Sequence, residues 1–508
     1  METEVVAPRW GALHGARRRS REAAGSLSAA RVLVVTSVAA YAALLGGAAV
    51  LHYLVFRTPH SDLGNMAQAV WSTAHGHFLG MTAASGHDIT RLGVHVEPFL
   101  ALLVPLWWLW GSPMMLVVVQ AVVVSTGAIP VYWLARKHLR SERAAVHFAL
   151  AYLLFPATQF NAFDPSSGFH AVSLAVPLIL FAFWFLDGDR LVPFVVLAIL
   201  AGATREQIPA AVGGLGIWYA IRRGRRLAGL AIFSVGVIVT ITNFLVVIPA
   251  FGVSGINPFA GRYKQVGGTP QGMVHKLVSD PIAFLQTAAT THKLLYLVLL
   301  FAPFLGFWIR EPLILLGAVP QLAIDLLSSR PEQTEIPYHY TAGIVPFVVA
   351  ASVLGAARFR GDPGRLSFGV LVAVACTAVY SPLLMLRSDV AELSSPTRSA
   401  DAHAVSLVPA SVPVSASNQL GASLSARRYS FTFPAVGSAR WIVVDSRDPT
   451  YIDARAYARA IRAVEDNRTW RLVYATCGVV VLHRVPAQTA AWTPTRGIIP
   501  ARRCASRG

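Results

Sequence analysis

Six short polar stretches hold the side chains that could do chemistry. His60-Ser61-Asp62-Leu63-Gly64-Asn65 follows the first apolar run and sets a carboxylate beside a hydroxyl, an imidazole and an amide. His95-Val96-Glu97-Pro98 and Asn161-Ala162-Phe163-Asp164-Pro165, with His170 shortly after, repeat the pairing of acid and imidazole. Arg205-Glu206 places opposite charges side by side, and Gly261-Arg262-Tyr263-Lys264-Gln265 puts two cations around a phenol. Glu335-Ile336-Pro337-Tyr338-His339-Tyr340 completes the set. A carboxylate such as Asp62 can take a proton from a hydroxyl, and guanidinium or ammonium groups can bind a phosphate. Asp62, His95, Glu97, Asp164 and His170 could also hold a divalent metal, although no pair has the i, i+4 helical spacing or another zinc signature.

Each stretch has a plainer explanation as well. Asp62 or Ser61 could cap the helix that follows, Glu97 could complement a helix dipole, and Asp164-Pro165 with Gly168 could build a turn. Arg205 and Glu206 could neutralise each other, and Arg262 with Lys264 could form a basic interfacial turn. Aromatic belts would explain Tyr338 and Tyr340 but neither His339 nor Glu335. What joins the six is a shared face of a membrane, and that follows from the elements between them.

The chain has 508 residues, 55% hydrophobic and 13% charged, with a mean hydropathy of +0.54, far from the soluble range. Apolar runs recur from Arg31 to about Leu386, and about 20 apolar residues make a span. The net charge of +18 lies largely in short loops between these runs, so it reads as a topology signal and not as a nucleic-acid surface. Basic clusters at 17–21, 136–143, 222–226 and 358–365 belong in the cytoplasm by the positive-inside rule. They thread about eleven crossings, near 31–56, 113–135, 144–159, 170–186, 191–204, 207–221, 227–249, 292–309, 312–328, 341–357 and 366–386. Phe99 to Trp110 is too short to cross and carries three tryptophans, so it reads as an interfacial helix, like Asp62 to Ala74 before it. Both lie in one long outer loop at 57–112, and all six polar stretches then face outward.

The expected architecture is an all-α polytopic membrane domain at 31–386, preceded by a cytoplasmic basic tail at 1–30. A small extracytoplasmic α/β domain follows at 387–486, with a flexible tail at 487–508. In the outer domain, 412–417, 429–434, 441–445 and 479–483 read as strands, and 418–427 and 451–467 as helices. No cleavable signal is expected. Cys376 lies in an apolar run, whereas Cys477 and Cys504 could pair only if both face an oxidising side. Walker A, G-x-S-x-G and dinucleotide fingerprints are absent from the sequence.

In order along the chain, Ser61-Asp62-Leu63-Gly64, Gln68-Ala69-Val70-Trp71, Gly76-His77, His95-x-x-Pro98, Phe163-Asp164, Phe169-His170, Arg205-Glu206 and Tyr338-His339-Tyr340 resemble a prokaryotic family of multi-pass membrane proteins, domain of unknown function 2079. One departure is Gln207, where the family pattern Lys-Glu-Asp would have an acid. In layout that family looks like the GT-C class of membrane glycosyltransferases. The resemblance implies a bacterial plasma-membrane enzyme that moves a sugar from a polyprenyl-phosphate donor to a hydroxyl of an extracytoplasmic glycan, lipid or protein acceptor. Asp62 matches the class's catalytic acid, and Arg205, Glu206, Arg262, Tyr263 and Lys264 would hold the donor phosphate. His60, Asn65, His95, Glu97, Asp164, His170, Glu335, Tyr338 and His339 would line the cavity. This reading requires Asp62, Arg205 and His339 to share one outward cavity. A transporter or lipid flippase would instead continue its polar residues through the midplane, where Asp325 and Asn243 are the main candidates. A non-catalytic scaffold would leave the clustered acids unexplained.

Overall fold

The computed structural model describes residues 10–83, 86–253, 259–448, 453–485 and Cys504. Its first helix runs from Trp10 to Leu54, so the basic segment from Trp10 onward continues the first apolar helix where a separate tail was expected. Four helices are long and apolar enough to cross a bilayer: Ala29–Leu54, Met114–Leu139, Arg226–Phe251 and Pro363–Glu392. Pro281–Ala288 and Thr291–Phe304, bent by 57°, add a fifth if they form one broken span. The regions expected to cross at 170–186, 191–204, 312–328 and 341–357 are shorter apolar helices.

Proline accounts for much of this fragmentation, because it cannot donate a helical hydrogen bond and so starts helices better than it continues them. Pro156 opens a new helix directly after Glu142–Leu154, and Pro312 begins the four-residue helix Pro312–Leu315. The short helices are held by packing. Every residue of Val345–Ala356 is buried, as expected of a helix apolar on all sides. Ile208–Arg222 and Arg226–Thr242 approach through glycine: a Cβ on Gly216 would lie 2.4 Å from the Gly229 carbonyl oxygen. On the other face of that pair Leu227, Leu230, Val235 and Ile238 are exposed, as lipid contacts would be.

The segment 57–112, expected as the first outer loop, holds a π-helical turn at His60–Gly64, the helix Asn65–Ala74 and the antiparallel strands β1 (Gly80–Thr82) and β2 (Asp88–Thr90). The hairpin was not legible from its two three-residue strands. The expected second interfacial helix is a 3-10 turn, Pro98–Leu103, continued by the helix Val104–Leu109. Leu100, Leu103 and Trp107 point into the protein, while Trp108 and Leu109 are 70% and 84% exposed, the two faces an interfacial helix needs.

Beyond two connecting helices, Leu386–Glu392 and Pro396–Ser406, the C-terminal part forms a five-stranded mixed sheet. Its strands are β3 (Val414–Ala416), β4 (Ser430–Thr432), β5 (Trp441–Asp445), β6 (Trp470–Thr476) and β7 (Val479–Arg484), ordered β4-β3-β5-β7-β6. β3 runs parallel to β4 and β5, and β7 antiparallel to β5 and β6. Strand β6 is an addition to the expected order. It is joined to β7 by Cys477 and Gly478, both at positive φ, a tight hairpin that ordinary turn residues would not have announced. The helix Ala454–Glu465 packs Tyr457 and Ile461 against the sheet. Cys477 forms a disulfide with Cys504, the one described residue of the expected flexible tail.

Candidate functional site

Two interlocked clusters lie where the 57–112 segment meets the breaks between the short helices. The first is a buried charge network. Glu97 accepts from the Arg91 Nε at 2.6 Å and from the Arg205 Nη1 at 2.8 Å. The His95 Nδ1 donates to Glu206 at 2.8 Å, and its Nε2 faces the Arg205 Nη2 at 2.9 Å. The backbone N–H of Val96 adds a bond to Glu206 at 3.1 Å. An imidazole that donates from one nitrogen and accepts at the other is neutral, and burial together with Arg205 pushes His95 down to about 4. Burial opposes ionisation of Glu206, but His95 and Arg205 outweigh it and bring its pKa to about 2. Two guanidiniums therefore balance two carboxylates around a neutral ring. Glu97 stands at the N-terminus of the turn Pro98–Leu103 but makes no side-chain capping bond, and Arg205 pairs mainly across 108 residues with Glu97, lying 3.7 Å from its neighbour Glu206.

Arg91 completes this network and was missed by sequence reasoning. Its position four residues before His95 in a loop already rich in acids was the available signal.

The second cluster consists of Asp62, Asp164, His170 and His339. The Asp164 Oδ1 accepts from the backbone N–H groups of Ser166 and Ser167 and from the Ser166 hydroxyl, the turn that Asp-Pro foretold. Its Oδ2 is left facing the His339 Nδ1 at 3.6 Å. The rings of His339 and His170 stack with centroids 3.3 Å apart, and the His170 Nε2 lies 3.6 Å from the Asp62 Oδ1. Asp62 does not cap the following helix; it lies within the π-turn and meets the Ser61 hydroxyl at 3.2 Å. Burial, reinforced by Asp164 and opposed by Arg91 and Arg205, pushes Asp62 up to about 6. A carboxylate in that range can exchange protons near neutrality. Among the five candidate metal ligands, His95 and Glu97 are engaged in the charge network, whereas Asp164 and His170 converge with His339.

A cavity of about 660 Å³ opens beside both clusters. Its lining is largely apolar, with Phe244, Leu245, Ile248, Phe259 and Leu327, and also carries His95, Arg205, Glu206, Arg262, Tyr263, His339 and Tyr340. Arg205 and His339 thus share the cavity. Asp62 does not line it, so the cavity expected to hold Asp62, Arg205 and His339 together holds only the latter two; the π-turn sets Asp62 behind His170, whose Nε2 is 3.6 Å away and whose ring stacks on His339. Arg262 differs from Arg205: it makes no ion pair among the described residues, its Nε has no hydrogen-bond partner, and its guanidinium lies over the Phe259 ring at 5.6 Å. Tyr263 donates to the Ile324 carbonyl at 3.3 Å. Lys264 is exposed and does not line the cavity, so only one of the two expected loop cations faces it. Tyr338 is likewise outside the lining, and Glu335 lies at the surface, 3.9 Å from His292. Both fall in the extended stretch before the 3-10 turn at His339–Gly343, which turns only His339 and Tyr340 inward.

His60 and Asn65 serve the loop itself. Asn65 donates to the Ser61 carbonyl at 2.7 Å. The His60 ring is gripped by strand β4, Nδ1 by the Thr432 hydroxyl at 2.7 Å and Nε2 by Ser430 at 2.9 Å. Asn418 accepts from the Ser61 N–H at 3.0 Å. Gly64 and Gly421 allow the close fit, since a Cβ on either would fall within 2.8 Å of His60. Buried Asp325 accepts from Gln321 at 2.8 Å and Tyr296 at 3.1 Å, and Asn243 donates to the Glu206 carbonyl at 3.4 Å. Neighbouring helices therefore satisfy both midplane candidates.

Residues 52–481 match the profile of the predicted membrane protein family DUF2079. The chain belongs to this family. Comparison with curated proteins finds no match. Among solved structures, ArnT from Cupriavidus metallidurans bound to undecaprenyl phosphate is similar with a TM-score of 0.54 at 13% identity, covering 91% of this chain and 99% of that one. ArnT from the same organism in the apo state has a TM-score of 0.52 at 14% identity, covering 92% and 100%. At these identities the likeness is one of fold, and it extends over most of the chain.

Proposed function

We propose that this DUF2079 member is a membrane glycosyltransferase of the GT-C type, acting on the extracytoplasmic face with a polyprenyl-phosphate sugar as donor. The observation that carries this reading is the cavity: a largely apolar lining is shared with Arg262, a cation that makes no ion pair among the described residues. The undecaprenyl phosphate held by ArnT is a ligand that matches both. In the proposed reaction an acceptor hydroxyl attacks the anomeric carbon and its proton passes to Asp62. The new bond forms as the bond from the anomeric carbon to the phosphate oxygen breaks, and the lipid phosphate leaves with its charge met by Arg262. Arg205, already balanced by Glu97 and Glu206, serves to fix the polar part of the lining, and His339 and Tyr340 orient the sugar between Arg262 and Asp62. The outer domain, through its hold on His60, would shape the acceptor side.

The same reading includes the eleven-crossing thread, the cytoplasmic N-terminus and an outer C-terminal domain. The Cys477–Cys504 disulfide supports that orientation, because disulfides persist on the oxidising side. The test is transfer by purified protein from a panel of polyprenyl-phosphate sugars, comparing the native chain with Asp62→Asn. Loss of transfer with lipid-phosphate binding intact is expected. Undiminished transfer by the variant would remove Asp62 as the base, and the absence of transfer from every donor would reject the enzymatic reading.

A further inference from the structure

We propose that Asp164, His170 and His339 form a binding site for a divalent transition-metal cation of the zinc type, with Asp62 at its edge. Each of the three offers a ligand atom, all within 4.8 Å of one another, and all three side chains are at least nine-tenths buried. The Asp164 Oδ2 and all four ring nitrogens of His170 and His339 lack hydrogen-bond partners. An orphaned buried polar atom costs about 1–3 kcal/mol, so five in one place call for a ligand.

Charge points the same way. Arg91 and Arg205 are balanced by Glu97 and Glu206, which leaves Asp62 and Asp164 with no lysine or arginine ion pair among the described residues. Two stacked imidazoles and two carboxylates without a cation form a site built for one. Donor atoms around a tetrahedral zinc stand about 3.3 Å apart, and the 3.6 Å between the His339 Nδ1 and the Asp164 Oδ2 is close to that. Two imidazoles with a carboxylate favour zinc over magnesium or calcium, which take oxygen ligands. Asp164 is held for the task, because its other oxygen is fixed by the Ser166–Ser167 turn. His339 also lines the cavity, so a bound cation would present its open position toward the space that Arg262 lines as well. Cation binding does not depend on the transfer reading; only a role for that open position in holding donor oxygens rests on it.

The test is metal content and affinity of the full-length protein in detergent, stripped with chelator and reloaded with zinc. About one zinc per chain is expected, with an X-ray absorption signature of two imidazole nitrogens. Asp164→Asn keeps the oxygen that caps the turn and replaces only the ligand oxygen, with an amide NH2 that cannot coordinate. It is expected to weaken zinc by more than roughly 100-fold, beyond what loss of an outer-shell partner costs, and His170→Ala with His339→Ala to abolish stoichiometric binding. His403→Ala, in the connecting helix before the outer domain, should leave it unchanged. The thermal midpoint and the gel-filtration profile in detergent, measured on the same samples, report that the variants are folded. Failure of the native chain to take up zinc, or zinc binding undiminished in Asp164→Asn, would overturn the site whether or not transfer is observed.

Discussion

Arg262→Ala is the sharpest perturbation of the proposed donor site. Arg262 lines the cavity without a carboxylate partner, whereas Arg205 directs two of its nitrogens to Glu97 and His95. A hydrogen bond to a charged group is worth about 1.5–3 kcal/mol, and each 1.4 kcal/mol is tenfold in affinity. Arg262→Ala should therefore weaken binding of a polyprenyl phosphate by about 10- to 140-fold, while affinity for the uncharged polyprenol is unaltered because the apolar wall is intact. Arg262→Lys should fall between the two, keeping the charge but losing the planar fork and its stacking on Phe259. Titration of the detergent-solubilised protein with the two lipids, followed by native mass spectrometry, measures both affinities. If Arg262→Ala keeps the native preference for phosphate over alcohol, Arg262 does not read phosphate and the assignment of the donor site is wrong.

Other expectations follow from the packing. Glu97→Gln leaves two buried guanidiniums without their bridging carboxylate and should destabilise the fold by about 3–5 kcal/mol, visible as a lowered thermal midpoint in detergent. Thr432→Val removes the Nδ1 partner of His60, a loss of about 1 kcal/mol, and should raise hydrogen exchange across residues 58–66 several-fold while leaving the Val345–Ala356 helix unaffected. Asp401 is pushed up to about 7 by burial, against the pull of Arg447. Its folded pKa lies above the usual carboxylate value, so the stability it contributes is complete below about pH 4 and is lost as pH rises through 7. Protease resistance of the outer domain should fall from pH 5 to pH 8 in the native chain. In Asp401→Asn, where Arg447 keeps its bonds to Asp445, it should stay level.

The sequence disclosed this site unevenly, for physical reasons. Charge bias and apolar length are local signals, and they grouped in advance Asp62, His95, Glu97, Asp164, His170 and His339, which the structure brings together. The Asp164 turn was equally local. Partnership was not: His95 meets Glu206 across 111 residues, and His60 meets Thr432 across 372. Nothing in Arg205-Glu206 as a dipeptide says that its charges face Glu97 and His95 instead of each other. Helix length was the weakest inference, because a buried apolar helix such as Val345–Ala356 has the composition of a span without its length. Strand β6 escaped because its turn is two residues long and one of them is cysteine.

The grip of strand β4 on His60 bears on how the protein is made. A ribosome delivers His60 372 residues before Thr432, and domains fold in the order they emerge. Until residues 414–484 have been made and have formed their sheet, the turn lacks both ring contacts and the Asn418 bond. A chain arrested before strand β4 would then present an unanchored carboxylate. Formation of the C-terminal sheet is a late step in building the turn that carries Asp62.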